Sequence, residues 1–70
     1  MTQSEIQRLE KYLKKTFSLD AIEVRKRQKK DDSVEVFVKE EFVGVIYKDD
    51  EDDEITYQFQ MAILESDLGQ

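Results

Sequence analysis

The stretch that decides the fold is "VEVFVKEEFVGVIY", which runs from Val34 to Tyr47. In its first half, valines recur at every second position, which is the period of a β-strand with one buried face. Its second half is apolar at almost every position, which is typical of a strand inside a sheet. The stretch therefore predicts two antiparallel strands joined by a tight turn around residues 39–41.

The register of this hairpin depends on which residues form the turn. A two-residue turn at Glu40–Glu41 would put six side chains on one face in three facing pairs: Val38 with Val43, Val36 with Val45, and Val34 with Tyr47. This is the register that we predict, because a one-residue slip would move the apolar set to the other face. A looser turn is the alternative, since neither glutamate favours the positive φ of a tight hairpin turn.

Upstream, the stretch "SEIQRLEKYLKKTF" predicts an amphipathic helix over about residues 4–17, with Ser4 as its N-cap. Apolar residues follow one another at spacings of three and four and form one stripe: Ile6, Leu9, Leu13 and Phe17. The lysines lie largely off this stripe and near the end of the helix, where they suit the helix dipole.

Two further strands flank the hairpin in the sequence. Ile22 and Val24 predict a short strand, and the segment "RKRQKKDDS" (residues 25–33) is predicted to be an exposed linker. Apolar residues at the odd positions from Ile55 to Ile63 predict a last strand, and residues 62–70 fit either its continuation or a short helix. We predict one small α+β domain of residues 1–70, with the N-terminal helix packed on a three- to four-stranded antiparallel meander sheet and a short C-terminal helical turn as the open alternative.

The composition disfavours several classes of protein. The 70 residues include no cysteine and no histidine, so disulfides, thiolate metal sites and the usual general base are excluded. We therefore predict no catalytic residues, no enzyme activity, no metal site and no cofactor. The chain has no apolar run of the roughly 20 residues that span a bilayer, and its start lacks the apolar core of a signal peptide. A cytoplasmic protein without a membrane partner is the expectation.

Charge is distributed unevenly along the chain. Residues 1–30 carry nine basic and four acidic groups, a net charge of +5, whereas residues 31–70 carry two basic and thirteen acidic groups, a net charge of −11. The acidic run from Asp49 to Glu54 does not fit a calcium-binding loop, because position six lacks glycine and position twelve lacks glutamate. We predict that this run is a solvated turn that balances the basic segment. Weak divalent-cation binding and a specific docking role are the alternatives.

The basic segment is a candidate surface for an anionic partner. Its basic residues are Arg25, Lys26, Arg27, Lys29 and Lys30. These side chains could contact phosphates, so an electrostatic adaptor that binds nucleic acid or another anion is the alternative function. Nucleic acid is disfavoured as the partner, because the acidic half repels it and no aromatic residue is interleaved with the basic ones.

The predicted sheet has a second face that one short helix cannot cover. In the predicted register Phe37, Phe42 and Ile46 lie on that face, and Tyr57 lies at its edge. An uncovered apolar face marks a surface for association. We therefore predict a non-catalytic protein that acts through contacts with an unknown protein partner or with itself as a homodimer.

Four blocks of the sequence resemble a known family. They are "YLKKTF" (Tyr12–Phe17), "DDSVEVFV" (Asp31–Val38), "EFVGVIYKDDED" (Glu41–Asp52) and "YQFQMAIL" (Tyr57–Leu64). In order and spacing these blocks resemble the uncharacterised small alphaproteobacterial family called domain of unknown function 3126, over roughly Leu9 to Leu68. The resemblance implies a bacterial cytosolic protein and no assigned activity, so it carries over no site residue. The family has glycine near Asp53 or Glu54 and in the turn at Lys39–Glu40, so the resemblance does not define the geometry of these two turns.

Overall fold

A computed structural model of the chain describes residues 1–51 and 53–69 with their side chains and, at position 52, the backbone alone. The elements in chain order are α1 (Gln3–Phe17), β1 (Ile22–Arg27), β2 (Lys30–Val38), β3 (Glu41–Asp49), a 3-10 turn (Glu51–Asp53), β4 (Thr56–Met61) and α2 (Glu65–Leu68). The four strands form one antiparallel sheet in the order β1-β2-β3-β4. This arrangement confirms the predicted α+β fold, with a helix on a meander sheet and a short helix at its end. No helix in the described residues is long and apolar enough to cross a membrane.

The first helix begins earlier than predicted. Its N-cap is Thr2, whose hydroxyl accepts the backbone N–H of Glu5 at 3.2 Å, while the Glu5 carboxylate accepts the backbone N–H of Thr2 at 2.9 Å. This reciprocal pair satisfies two N–H groups that a helix start leaves without partners. The predicted N-cap, Ser4, is wrong because it lies inside the first turn, where it has no glutamate three residues later.

The basic segment is not a linker. Arg25 lies opposite Glu35 and Lys26 lies opposite Val34, so β1 and β2 continue through most of residues 25–33 and form a hairpin. The prediction of a linker is wrong because ladder hydrogen bonds satisfy the backbone whether or not the side chains are apolar. The predicted exposure is confirmed for most of the side chains. Ser33 is buried in this hairpin, and its hydroxyl accepts a hydrogen bond from the Arg27 guanidinium at 3.0 Å.

The turn between β2 and β3 consists of Lys39 and Glu40, both with positive φ, 52° and 71°. Val38 lies opposite Glu41, so the predicted turn at Glu40–Glu41 is wrong by one residue. Two successive left-handed residues match the right-handed twist of the strands in a two-residue hairpin. The fold therefore imposes this conformation on two residues that do not favour it.

A β-bulge at Val43 changes the register of the central hairpin. Phe37 lies opposite Phe42, but the next pair is Val36 with Gly44, so Val43 is the extra residue. Beyond the bulge, Val34 lies opposite Ile46, not opposite Tyr47 as predicted. The predicted register is wrong because one extra residue exchanges the two faces of the strand that follows.

The core lies between α1 and the sheet. The buried apolar side chains among the described residues come from α1 and from the first three strands: Ile6, Leu13, Ile22, Val24, Val34, Val36 and Ile46. Gly44 is a point of close approach, since a Cβ there would lie 2.5 Å from the Phe59 ring and 2.5 Å from the Gln60 carbonyl oxygen. The core is therefore fullest over β1 and β2 and thins toward β4.

The C-terminal alternative is resolved in favour of a helix. β4 ends at Met61, and α2 follows after three residues. The apolar side chains of this region stay exposed: Ile63, Leu64 and Leu68. Residue 70, which closes the predicted segment 62–70, lies outside the described residues.

Candidate functional site

Two of the predicted partner-binding residues lie on the open face of the sheet, which is the face that α1 does not cover. The Phe37 and Phe42 rings meet edge to face, with centroids 5.7 Å apart, and Phe42 is 51% exposed. The Arg25 guanidinium lies 4.0 Å above the centre of the Phe37 ring, a cation–π contact that partly covers it. The open face therefore carries a small aromatic cluster, and one of its two rings is partly covered by a cation.

The other two predicted residues lie on the face that α1 covers. Ile46 is only 2% exposed and belongs to the core. Tyr57 is half-buried beside the core and lies opposite Lys48. Their predicted placement on the uncovered face is wrong because the bulge at Val43 turns the even-numbered residues of β3 inward, and β4 follows this register.

Several of the exposed large apolar side chains lie beside β4, next to the core. We call this surface the α1–β4 groove, which runs between the helix and the last strand. Its exposed side chains come from both walls: Tyr12 and Phe17 from α1, and Ile55, Phe59 and Met61 from the β4 side. Leu13 forms its floor at the centre. Phe17 is 55% exposed, Met61 54% and Phe59 37%.

The groove is open because α1 lies toward the opposite edge of the sheet. The Glu10 carboxylate accepts the backbone N–H of Val24, in the edge strand β1, at 2.9 Å. This hydrogen bond holds the helix over β1, and a single helix about 10 Å wide cannot also cover β4. β4 is therefore left with one edge and much of its inner face uncovered.

The two edge strands also differ in charge. β1 has the sequence "IEVRKR", with four charged residues, whereas residues 55–64 ("ITYQFQMAIL") contain no charge in a chain that is 40% charged. Charged side chains are a common protection of sheet edges against pairing. The uncharged run is the signal in the sequence that could have identified the groove.

One end of the groove is closed by a polar cluster. The Glu5 carboxylate accepts the Tyr57 hydroxyl at 2.7 Å and pairs with the Lys48 ammonium at 2.6 Å. The Lys48 contact, with help from the Thr2 backbone and Tyr57, holds the pKa of Glu5 far below its usual range. The hydrogen bond to Glu5, together with burial, raises the pKa of Tyr57. Since Lys48 and Tyr57 both bond to Glu5, the cluster fastens the start of α1 to β3 and β4.

The basic hairpin forms a second candidate surface. All five predicted residues, Arg25, Lys26, Arg27, Lys29 and Lys30, line one open concavity of about 500 Å³. Arg25 is paired with Glu23 at 2.5 Å and with Glu40 at 3.6 Å, and the contact with Glu23 raises its pKa. The three lysines are exposed to solvent at the concavity.

The acidic run forms the connection between β3 and β4, as predicted for a turn. The Asp49 carboxylate accepts the backbone N–H of Glu51, the first residue of the 3-10 turn, at 3.1 Å. This connection lies at the same end of the sheet as the turn of the basic hairpin, but none of the ion pairs within the described residues joins the two segments. No three acidic side chains converge on a metal position in the part of the chain that the structure describes, which leaves out the Asp52 side chain.

Comparison with known proteins yields one match. A family model described as "Protein of unknown function (DUF3126)" matches residues 5–67, which is most of the chain. No curated protein and no solved structure matches it.

Proposed function

The chain belongs to the DUF3126 family of proteins of unknown function, and we propose that it is a non-catalytic cytoplasmic protein that acts by binding protein. The proposed binding surface is the α1–β4 groove, in place of the open sheet face. The observation that carries the proposal is the row of exposed apolar side chains next to the uncharged edge strand, in which Phe17, Phe59 and Met61 lie side by side. Contiguous exposed apolar surface of this kind is rare on soluble monomers and marks interaction sites.

The small core gives a second reason for a bound partner. A domain of this size buries only about 60% of the surface of its unfolded chain, so its stability is marginal. Seven apolar side chains are buried among the described residues, and none of them comes from β4. A partner in the groove would bury the aromatic and methionine side chains of β4 and would stabilise the folded chain by mass action.

Site-specific photo-crosslinking in living cells tests this proposal. A photoreactive phenylalanine analogue placed at Phe17 lies in the groove, and the same analogue at Tyr47 lies on the opposite face of the sheet. Both positions are exposed aromatic side chains, so the two variants are matched in chemistry. We expect discrete protein adducts from position 17 and few or none from position 47. The absence of adducts at position 17, or the same pattern at both positions, would contradict the proposal.

The basic hairpin supports a second candidate function, the binding of an anionic partner. Lys26, Lys29 and Lys30 lie around one concavity with the Phe37 ring, and exposed lysines grouped in this way can contact phosphates. Binding of this kind weakens steeply with salt, whereas binding in an apolar groove does not.

Binding to a labelled single-stranded RNA, measured against salt concentration, tests the second candidate. The variant K29E/K30E reverses two charges in the hairpin, and K11E/K15E reverses two exposed charges on α1 as a control. Loss of binding in the hairpin variant alone is expected if this function holds. Equal loss in both variants would indicate attraction by overall charge, and no binding to wild type would exclude RNA. Weak divalent-cation binding by the acidic run stays a prediction that no arrangement of the described side chains favours.

A further inference from the structure

The edge geometry points to the partner itself: we infer that the α1–β4 groove is covered by a second copy of this chain, through antiparallel pairing of the two β4 strands about a twofold axis. This inference rests on the proposed function, because it names the protein that occupies the same groove. The two sheets would join into one continuous sheet of eight strands, with both helices on the same face.

The first support is the unprotected edge of β4. Among the described residues, this strand pairs only with β3, so its outer row of backbone N–H and C=O groups faces outward. No charged side chain lies between residues 55 and 64 to oppose the approach of another strand. The other edge, β1, carries charged residues, and its Val24 backbone N–H donates a hydrogen bond to the Glu10 carboxylate. Of the two edges, β4 is the one suited to pairing.

The alternation of β4 limits the registers that are possible. Its odd-numbered residues face the groove, since Tyr57, Phe59 and Met61 lie opposite inward-facing residues of β3. In an antiparallel pair, residues directly opposite each other lie on the same face of the sheet. A continuous sheet with both grooves on one side therefore requires odd residues opposite odd residues, and an axis at Phe59 does this.

With the axis at Phe59, apolar residues lie opposite apolar residues and polar residues lie opposite polar residues. On the groove side, Tyr57 of one copy lies opposite Met61 of the other, and Ile55 lies opposite Ile63. On the open side, Gln58 of one copy lies opposite Gln60 of the other, which are uncharged polar residues that can hydrogen-bond across the strands. The two grooves merge into one apolar layer between the two α1 helices.

Charge acts in two directions in this arrangement. Each copy has a net charge of −6, so overall charge opposes association. The acidic run lies at the Lys48 end of the sheet, and the last turn of α1, with Lys14 and Lys15, lies at the Val38 end. Antiparallel pairing places the acidic run of one copy toward this basic last turn of the other copy, where opposite charges attract, and also toward the other copy's acidic α2, where like charges repel. The pairing is therefore carried by the uncharged edge and the apolar side chains.

The interface would require about a seventh of the accessible surface of each copy. A stable interface needs roughly 800 Å² on each partner, and the whole accessible surface of the chain is 5773 Å². A pair of edge strands alone is narrow, so the groove side chains and the exposed Ile63 and Leu64 must contribute. The proposed register brings Ile63 to the Ile55 end of the other copy's groove, which extends the contact along its length.

Charge substitutions that depend on the register test the inference. Q58K/Q60K places two lysine pairs directly across the twofold axis, whereas Q58K/Q60E places lysine opposite glutamate in the same positions. Both glutamines are exposed and face away from the core, so the fold of each copy should be retained, and circular dichroism checks this. Q7K/Q28K makes the same chemical change as Q58K/Q60K at two exposed positions away from β4.

Analytical ultracentrifugation of the full chain over a range of concentrations gives the readout. We expect a wild-type dimer, a dissociation constant about tenfold weaker for Q58K/Q60K, and wild-type or tighter association for Q58K/Q60E. A monomeric wild type at all concentrations would overturn the inference, and so would equal weakening in Q7K/Q28K and Q58K/Q60K. If the wild type is a monomer and position 17 crosslinks to a different protein, the partner is not a second copy of the chain. The proposed function would then still hold.

Discussion

Replacing Glu40 with glycine should stabilise the protein, because Lys39 and Glu40 both adopt the left-handed conformation, with φ of 52° and 71°. This conformation costs a residue with a side chain about 1–2 kcal/mol, and glycine avoids that cost. Glycine also destabilises the folded state by about 0.5–1 kcal/mol, because it gives the unfolded chain more conformational freedom. The expected net gain is therefore about 0.5–1 kcal/mol for E40G, and about 1–2 kcal/mol for K39N/E40G, since asparagine tolerates this conformation.

Two contacts at the turn could reduce this gain. The Lys39 backbone N–H donates to the Ala21 carbonyl at 3.1 Å, and both substitutions leave that N–H in place. E40G removes the ion pair with Arg25 at 3.6 Å, but Glu40 is 88% exposed, so this pair adds little. Neither contact is expected to reverse the sign of the change.

Thermal and urea unfolding followed by circular dichroism would measure the effect. A gain of 1 kcal/mol corresponds to a rise in Tm of about 4–8 °C for a domain of this size, with an unchanged dependence on urea. E41G is the matched control, since it makes the same substitution one residue later, in β3, where φ is negative and glycine should destabilise by about 0.5–1 kcal/mol. If E40G destabilises the protein as much as E41G does, the reasoning from the left-handed turn is refuted.

The remaining predictions concern the bulge, the core and the polar cluster. Gly44→Ala should lower the free energy of unfolding by about 1–3 kcal/mol, because the new methyl group would overlap the Phe59 ring and the neighbouring backbone. Gly69→Ala is its control, since no atom lies closer than 3.7 Å there, and similar losses in both would contradict the close approach at β4. Ile46→Ala should cost about 2–5 kcal/mol in chemical denaturation if this residue lies in the core as described, whereas a cost below about 0.5 kcal/mol would place it on the surface. The folded-state pKa of Glu5 is lowered from its ordinary value of 4.5, so its stabilising effect is fully present above that pH and is lost as the pH falls below it. Glu5→Gln should therefore lower Tm at pH 7 and flatten its decline in acid, and a wild-type pH profile in this variant would disprove the role of the cluster.

Much of the fold follows from short-range patterns. The 3.6-residue period of the first segment predicts α1, and the two-residue period after Ile22 predicts the strands, because each period is a local property of the backbone. The connections between strands are short, and short connections join neighbouring antiparallel strands, which leads to the meander. The predicted N-cap is wrong because two hydroxyl residues, Thr2 and Ser4, lie near the start of the helix and only Thr2 has glutamate at the required spacing.

The candidate site was harder to predict from local sequence patterns. The sequence identified an apolar surface beyond what one helix can cover, but assigned it to the open face through a register without a bulge. Phe37 and Phe42 do lie on that face, whereas Ile46 and Tyr57 lie on the other. An error of one residue in the register of β3 was enough to place Ile46 and Tyr57 on the wrong face of the sheet, since adjacent residues of a strand point to opposite faces.

By itself, the sequence determined the element types, the meander, the uneven charge and the absence of cysteine and histidine, because these depend on composition and local periodicity alone. The tertiary structure decided the turn at Lys39–Glu40, the bulge at Val43 and the groove beside β4. These features depend on contacts between distant residues: the Phe59 ring fills the space over Gly44, and Glu10 holds α1 over β1. No local pattern encodes which edge of a sheet a helix will cover, and that choice exposes β4.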